Sequence, residues 1–132
     1  MSITHVGAAS VFVSDLDRAL DYYTRVLGLT LRKDTGSGGP GPRTLWIGFP
    51  EGRAILVLVE ARAMGPAARM GGFTGIILDA DDAQRSYEEL KERGATFVRP
   101  ITNLPHGWQA ILSDPDGNEF ILYQPHDEAD RH

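Results

Sequence analysis

The 132-residue chain contains no cysteine. That excludes a disulfide framework, a thiolate nucleophile and a Cys-ligated zinc, and it fits a reducing compartment. Basic residues are also scarce: 13 Lys and Arg stand against 18 Asp and Glu, for a net charge of −5. A nucleic-acid or anionic-membrane surface needs clustered cations, so neither partner is expected. No apolar run approaches the roughly 20 residues that span a bilayer. The opening "MSITHVGAASVFV" lacks a basic region and gives way at once to the acidic "SDLDRALDYY". No signal peptide is therefore read, and the expected location is cytoplasmic. No G-x-S-x-G elbow or Walker sequence occurs anywhere. "GSGGPG" (Gly36–Gly41) fits G-x-G-x-x-G formally, but it carries proline and runs into the strand-like "TLWIGF". No helix N-terminus follows it to receive a pyrophosphate.

What the chain does have is a repeat. "VSDLDRALDYYTRVLGL" (Val13–Leu29) and "ADDAQRSYEELKERGAT" (Ala80–Thr96) share one plan. Each has a strand ending in Asp, a helix and a stop at Gly, so that Asp15, Arg18 and Gly28 match Asp82, Arg85 and Gly94; Ser14 or Asp15 can cap the first helix and Asp82 caps the second. "FPEG" (Phe49–Gly52) then matches "DPDG" (Asp114–Gly117) in the same order. Leu16, Ala19, Leu20, Tyr23 and Leu27 form the apolar stripe of the first helix, and Ala83, Tyr87 and Leu90 that of the second. Around them lie "GAASVFV", "LTLRK", "TLWIGF" and "AILVLVE", then "FTGIILD", "TFVRP", "WQAILSD" and "EFILYQ". These runs are rich in β-branched and aromatic residues and read as strands.

The expected fold class is α+β: two βαβββ modules in one domain over 1–132. Module 1 covers about 3–60, a linker 61–72, module 2 about 73–125 and a polar tail 126–132. The linker composition allows a short helix, and "DTGSGGPGPR" (Asp34–Arg43) reads as a flexible loop.

Paired modules carrying "VSDLDRALDYYTxxLG", "DDxxxxYxxLxxRG" and "DPDGN" resemble the vicinal oxygen chelate superfamily, which includes glyoxalase I, extradiol dioxygenases and bleomycin-resistance proteins. The resemblance implies that each module curls its mixed sheet into half of a cup, and that the cups form a cleft. Members that use a metal ligate it from the first and fourth strand of each module. Carried over by motif, those positions are Ala8, Leu56, Gly75 and Ile121. None offers a donor atom, where a divalent ion needs His, Asp or Glu. No metal and no other cofactor is therefore expected. Glu119 shares a strand face with Ile121 but lies two residues nearer the turn, and His5 falls on the opposite parity from Ala8. His126 and His132 sit in the polar tail.

By alternation, the cleft lining is expected to include Ser10, Phe12, Leu56, Leu58, Gly75, Ile77, Ile121 and Tyr123. Such an apolar set suits a small organic ligand, although Leu56 and Ile77 read equally as core. Gly75 interrupts a strand, which often marks a close approach. Trp46 and Trp108 are candidates to stack on a planar ligand. His106, beside the flexible Gly107, is the candidate acid or base; the alternative is a loop histidine capping a turn. Arg32 and Arg43 are weaker candidates for holding an anion.

The leading expectation is a metal-independent, bleomycin-resistance-like protein that binds a small apolar or aromatic molecule, sequestering a drug or natural product. The alternative is a metal-free isomerase, lyase or cyclase using His106 and Tyr123. A metal-dependent lyase or dioxygenase with displaced ligands ranks third. The resemblance also implies a homodimer.

Overall fold

Strand-forming runs separated by capped helices give the same order twice. The computed structural model describes residues 2–36, 39, 41–65 and 68–127. The middle of the Gly/Pro loop, Pro66 and Ala67 of the linker, and the tail from Glu128 through His132 lie outside the described residues. The chain divides into two units, Met1–Met70 and Gly71–His132.

In module 1, β1 (Ala9–Val13) leads into α1 (Leu16–Asp21), followed by β2 (Thr30–Asp34), β3 (Thr44–Gly48) and β4 (Leu56–Glu60). The sheet order is β1-β4-β3-β2, with β1 parallel to β4 and the other pairs antiparallel. The Asp15 carboxylate accepts the Arg18 N–H at 2.9 Å, capping α1 as the sequence predicts. The helix then widens over Tyr22–Val26, where the Leu27 N–H reaches back five residues to the Tyr22 carbonyl at 3.2 Å. This wider turn differs from the regular stripe read in the sequence. It brings adjacent Tyr22 and Tyr23 both into the core, their rings 5.4 Å apart and edge-on.

After the short α2 (Ala61–Met64), module 2 repeats the order: β5 (Gly72–Asp79), α3 (Ala83–Glu92), β6 (Thr96–Asn103), β7 (Gly107–Ser113) and β8 (Asn118–Pro125). Its sheet order is β5-β8-β7-β6, with β5 parallel to β8. Asp82 caps α3 through the Arg85 N–H at 3.1 Å. The α+β class and the double βαβββ plan therefore stand as expected.

Each sheet has one face turned to its helix. In module 1, in-register neighbours Val11, Leu58 and Leu45 share a face, and all are buried, with Val13 and Ile47 beside them. In module 2 the corresponding layer is Ala110, Leu112, Phe120 and Leu122, packed with Ala83, Tyr87 and Phe97 of α3 and β6. Burying each large side chain here contributes about 1.5–3 kcal/mol, and that outweighs any single polar contact in the chain.

The "DPDGN" segment is a closed polar knot. Asp114 Oδ1 accepts the N–H groups of Asp116 and Asn118 at 2.9 and 2.8 Å, and Asp114 Oδ2 accepts Asn118 Nδ2 at 2.8 Å. Asn118 Oδ1 in turn accepts the Gly71 N–H at 2.8 Å, tying the start of β5 to β8. Asp114 and Asn118 are buried with these bonds made, so the motif holds the β7–β8 turn.

Candidate functional site

The face of module 2 that looks away from α3 is set by the ladder register. Ile77 pairs with Ile121 and Asp79 with Tyr123 between β5 and β8. Across the β7–β8 ladder, Gln109 pairs with Tyr123 and Ile111 with Ile121. Paired residues share a face, so Ile77, Asp79, Gln109, Ile111, Ile121 and Tyr123 form one surface, with Asp79 exposed at its end. A pocket of about 230 Å³ opens on it, lined by Ile77, Leu104, His106, Gly107, Gln109, Ile121 and Tyr123. Ile77 is 55% exposed.

The aromatic wall is held from below and from the rim. Gly107 lies so close to β8 that an added Cβ would overlap the Gln124 carbonyl oxygen and come within 3.0 Å of the Tyr123 ring. Only glycine lets that ring lie against the β7 backbone. The Tyr123 hydroxyl donates to the His106 carbonyl at 3.3 Å, and the His106 side chain stands exposed at the rim. The hairpin loop carrying Leu104 and His106 is clasped by His126. Its Nε2 lies 2.6 Å from Asn103 Oδ1 and 3.0 Å from the Leu104 carbonyl, and its backbone N–H donates to the His106 carbonyl at 3.0 Å. His126 is exposed, as its place in the polar tail suggests, yet it is bonded.

Four residues singled out in the sequence, Ile77, His106, Ile121 and Tyr123, come together here. Gly75 does not line the pocket. It sits in a bulge of β5, between the Phe73–Glu119 and Ile77–Ile121 pairs, with φ of 76°. The bulge is fastened by Thr74 Oγ1, which donates to the Glu119 carbonyl at 2.7 Å and accepts the Ile76 N–H at 3.1 Å. Trp108 pairs with Gln124 on the opposite face, its ring 6.2 Å from that of His126. Leu104, Gly107 and Gln109 complete the lining and were not among the sequence candidates.

The remaining candidates lie in module 1. Ser10 and Phe12 pair with Val57 and Val59, and Trp46 pairs with Val57. These five therefore share the face turned away from α1. Leu56 and Leu58 pair with Ala9 and Val11 and take the other face, contrary to the sequence count. The count ran from the Phe49–Gly52 turn, but the residue matching Ile121 in the ladder is Val57, one place further on. A shift of one residue inverts a strand face. Trp46 and Trp108 occupy different positions of the two sheets, Ile111 being the ladder counterpart of Trp46.

The two arginine candidates are engaged. Arg43 grips Asp34 through two bonds, of 3.0 and 2.7 Å, and this pairing with the Gly36 N–H lowers the Asp34 carboxyl to about 2. Arg32 donates to the carbonyls of Phe49 and Gly52, closing that turn.

With the register corrected, the positions where metal-using relatives carry ligands hold Ala8, Val57, Gly75 and Ile121, none with a donor atom. Glu119 shares the Ile121 face, one pair nearer the turn beside Ser113, and His5 lies exposed before β1. Among the described residues, no group of three or more His, Asp or Glu side chains could hold a metal ion. The residues present do not fit one. Among those residues, too, no helix is long and apolar enough to cross a membrane.

The doubled βαβββ plan is that of a known superfamily. The chain belongs to the Glyoxalase/Bleomycin resistance protein/Dioxygenase superfamily, whose family model matches residues 2–122. It is similar to TnmS3, an antibiotic binding protein from Streptomyces sp. CB03234, at 37% identity over 95% of this chain and 98% of that one, with a TM-score of 0.82. A superfamily member from Sphaerobacter thermophilus shares 33% identity over 94% and 99% of the two chains, with a TM-score of 0.85. A probable lactoylglutathione lyase from Synechocystis is 28% identical over 89% of this chain and 93% of its own length.

Proposed function

We propose that this protein binds a small, largely apolar or aromatic organic molecule on the open face of module 2, without a metal ion, and so sequesters a drug or natural product. One observation carries the reading. Where metal-using relatives need His or Glu, this chain presents Gly75 and Ile121, and Ile121 lines a pocket with Ile77, Leu104 and Tyr123. Burying apolar surface there is worth about 25 cal/mol per Å², whereas a divalent ion would find no carboxylate and no cluster of donors among the described residues to replace its hydration shell. The pocket lies below the usual 300–1,000 Å³ of drug-sized sites, so it takes one ring system of a larger ligand. Similarity to an antibiotic binding protein over nearly the whole of both chains supports the same reading.

The test is a screen of aromatic natural products and antibiotics against the purified protein, with metal analysis of the same sample. Saturable binding that shifts the NMR signals of Ile121 and Tyr123 and survives chelator is the expected result. Stoichiometric Ni, Zn, Mn or Fe that is lost on His5→Ala or Glu119→Gln would overturn it.

A second reading, metal-free acid–base catalysis, is favoured by the position of His106 on the pocket rim. It requires that His106→Ala abolish turnover of a bound ligand while its affinity changes less than about threefold.

A further inference from the structure

The pocket is apolar with one interior exception. Gln109 stands in the middle of the strand "GWQAILS", cross-strand from Tyr123, with its side chain among Ile77, Leu104 and Ile121. The residue is half-buried, and among the described residues none hydrogen-bonds to its carboxamide. The neighbouring Tyr123 hydroxyl is already given to the His106 carbonyl. No Asp, Glu, Lys or Arg lines the pocket.

A ligand that covers Gln109 with hydrocarbon strips water from an amide and returns nothing. Leaving such a group unsatisfied typically costs more than a satisfied hydrogen bond contributes. A carboxamide offers a donor and an acceptor side by side, so its complement is an edge carrying an acceptor beside a donor. Lactams, primary amides and hydroxy-carbonyl groups have such an edge; simple hydrocarbons, ethers, tertiary amides and acyclic secondary amides, whose trans bond sets N–H and C=O on opposite sides, do not. With no fixed charge in the lining, a carboxylate or ammonium on that edge would be desolvated without a counter-ion.

We infer that Gln109 is a specificity determinant of the site. It selects an uncharged, planar molecule whose inserted edge carries a hydrogen-bond donor next to an acceptor. The inference rests on the reading above, that this pocket is where a small apolar molecule binds. It adds which part of that molecule enters and what chemistry that part bears. Tyr123 supplies the flat wall on which the ring lies, and Gln109 reads its edge.

The test uses three small probes on the intact chain, followed by NMR titration: the bicyclic lactam isocarbostyril, its N-methyl derivative, which lacks the donor, and the cationic amidine aminoisoquinoline. The unaltered protein is expected to prefer isocarbostyril to the N-methyl lactam by about tenfold, the worth of one net hydrogen bond. The Gln109 side-chain amide signals should shift with the lactam. Gln109→Leu should bind the two lactams alike. Gln109→Glu should move the preference to aminoisoquinoline, a gain that misfolding cannot mimic. Equal binding of both lactams by the unaltered protein, or a preference that survives Gln109→Leu, overturns the inference and leaves the apolar-site reading standing. If no ring probe shifts Ile121 or Tyr123, both fall.

Discussion

The open faces of the two modules are built from matched positions, yet they are spent differently. The ladders place Ser10, Thr44, Trp46, Val57 and Val59 of module 1 where module 2 has Ile77, Gln109, Ile111, Ile121 and Tyr123. In module 1 the polar groups around Trp46 satisfy one another, while Ser10 is exposed. Trp46 Nε1 donates to Thr44 Oγ1 at 3.0 Å, Thr44 Oγ1 donates to Thr35 Oγ1 at 3.2 Å, and Lys33 Nζ lies 5.7 Å from the Trp46 ring centre. Val57 and Val59 are buried. In module 2 the matching carboxamide is unpartnered and the matching isoleucine, Ile77, is largely exposed. The duplicated fold thus engages the Trp46 side of one sheet face in its own contacts and leaves a carboxamide unpartnered on the other. Function in such a fold follows which face is unspent, not which residues align.

Four substitutions break or sharpen that contrast. The largest effect is expected on that face of module 1: Val59→Ala removes a buried side chain there and should cost about 2–3 kcal/mol in urea denaturation. Ile77→Ala, at the exposed counterpart of Ser10, should cost under about 1 kcal/mol while weakening ligand binding. If the two costs match, the contrast between the faces is not real.

Gly107→Ala comes next. The added methyl meets the Gln124 carbonyl, so β7 and β8 must part or the Tyr123 ring must move, at a cost of about 1–3 kcal/mol. Loss of ligand-induced Tyr123 shifts at ligand concentrations that saturate the unaltered protein would accompany it.

The smallest effect concerns Asp34. Its carboxyl is held at about 2 in the fold against an ordinary value of 3.8, so its contribution is present above pH ~4 and is lost as pH falls from there toward 2. The pair with Arg43 is solvent-exposed, which keeps the effect small. Asp34→Asn should flatten the acid limb of the stability curve slightly and leave stability at pH 7 nearly unchanged.

The repeat, the capping aspartates and all eight strands were legible in the sequence, because strand alternation and Asp caps are local signals. The open face of module 2 was legible for the same reason: Ile77, Ile121 and Tyr123 follow from counting along two unbroken stretches. What failed was transfer between modules. The count from the Phe49–Gly52 turn misplaced Leu56 and Leu58 by one residue, and loops of unequal length leave no local trace of that slip. Trp108 was assigned by size rather than by parity, which puts it with Ala110 and Leu112. Gln109 was passed over although its signal was present: a polar amide two residues before Ile111, on the face that alternation assigns to the apolar set.

The clasp at His126 has a consequence for kinetics. It bonds to the loop that carries Leu104 and His106 but does not line the pocket. Contacts that line a site set how tightly a guest is held, whereas a brace behind the doorway sets how often the door swings. If a guest binds as proposed, substituting His126 should change its escape rate more than its equilibrium affinity.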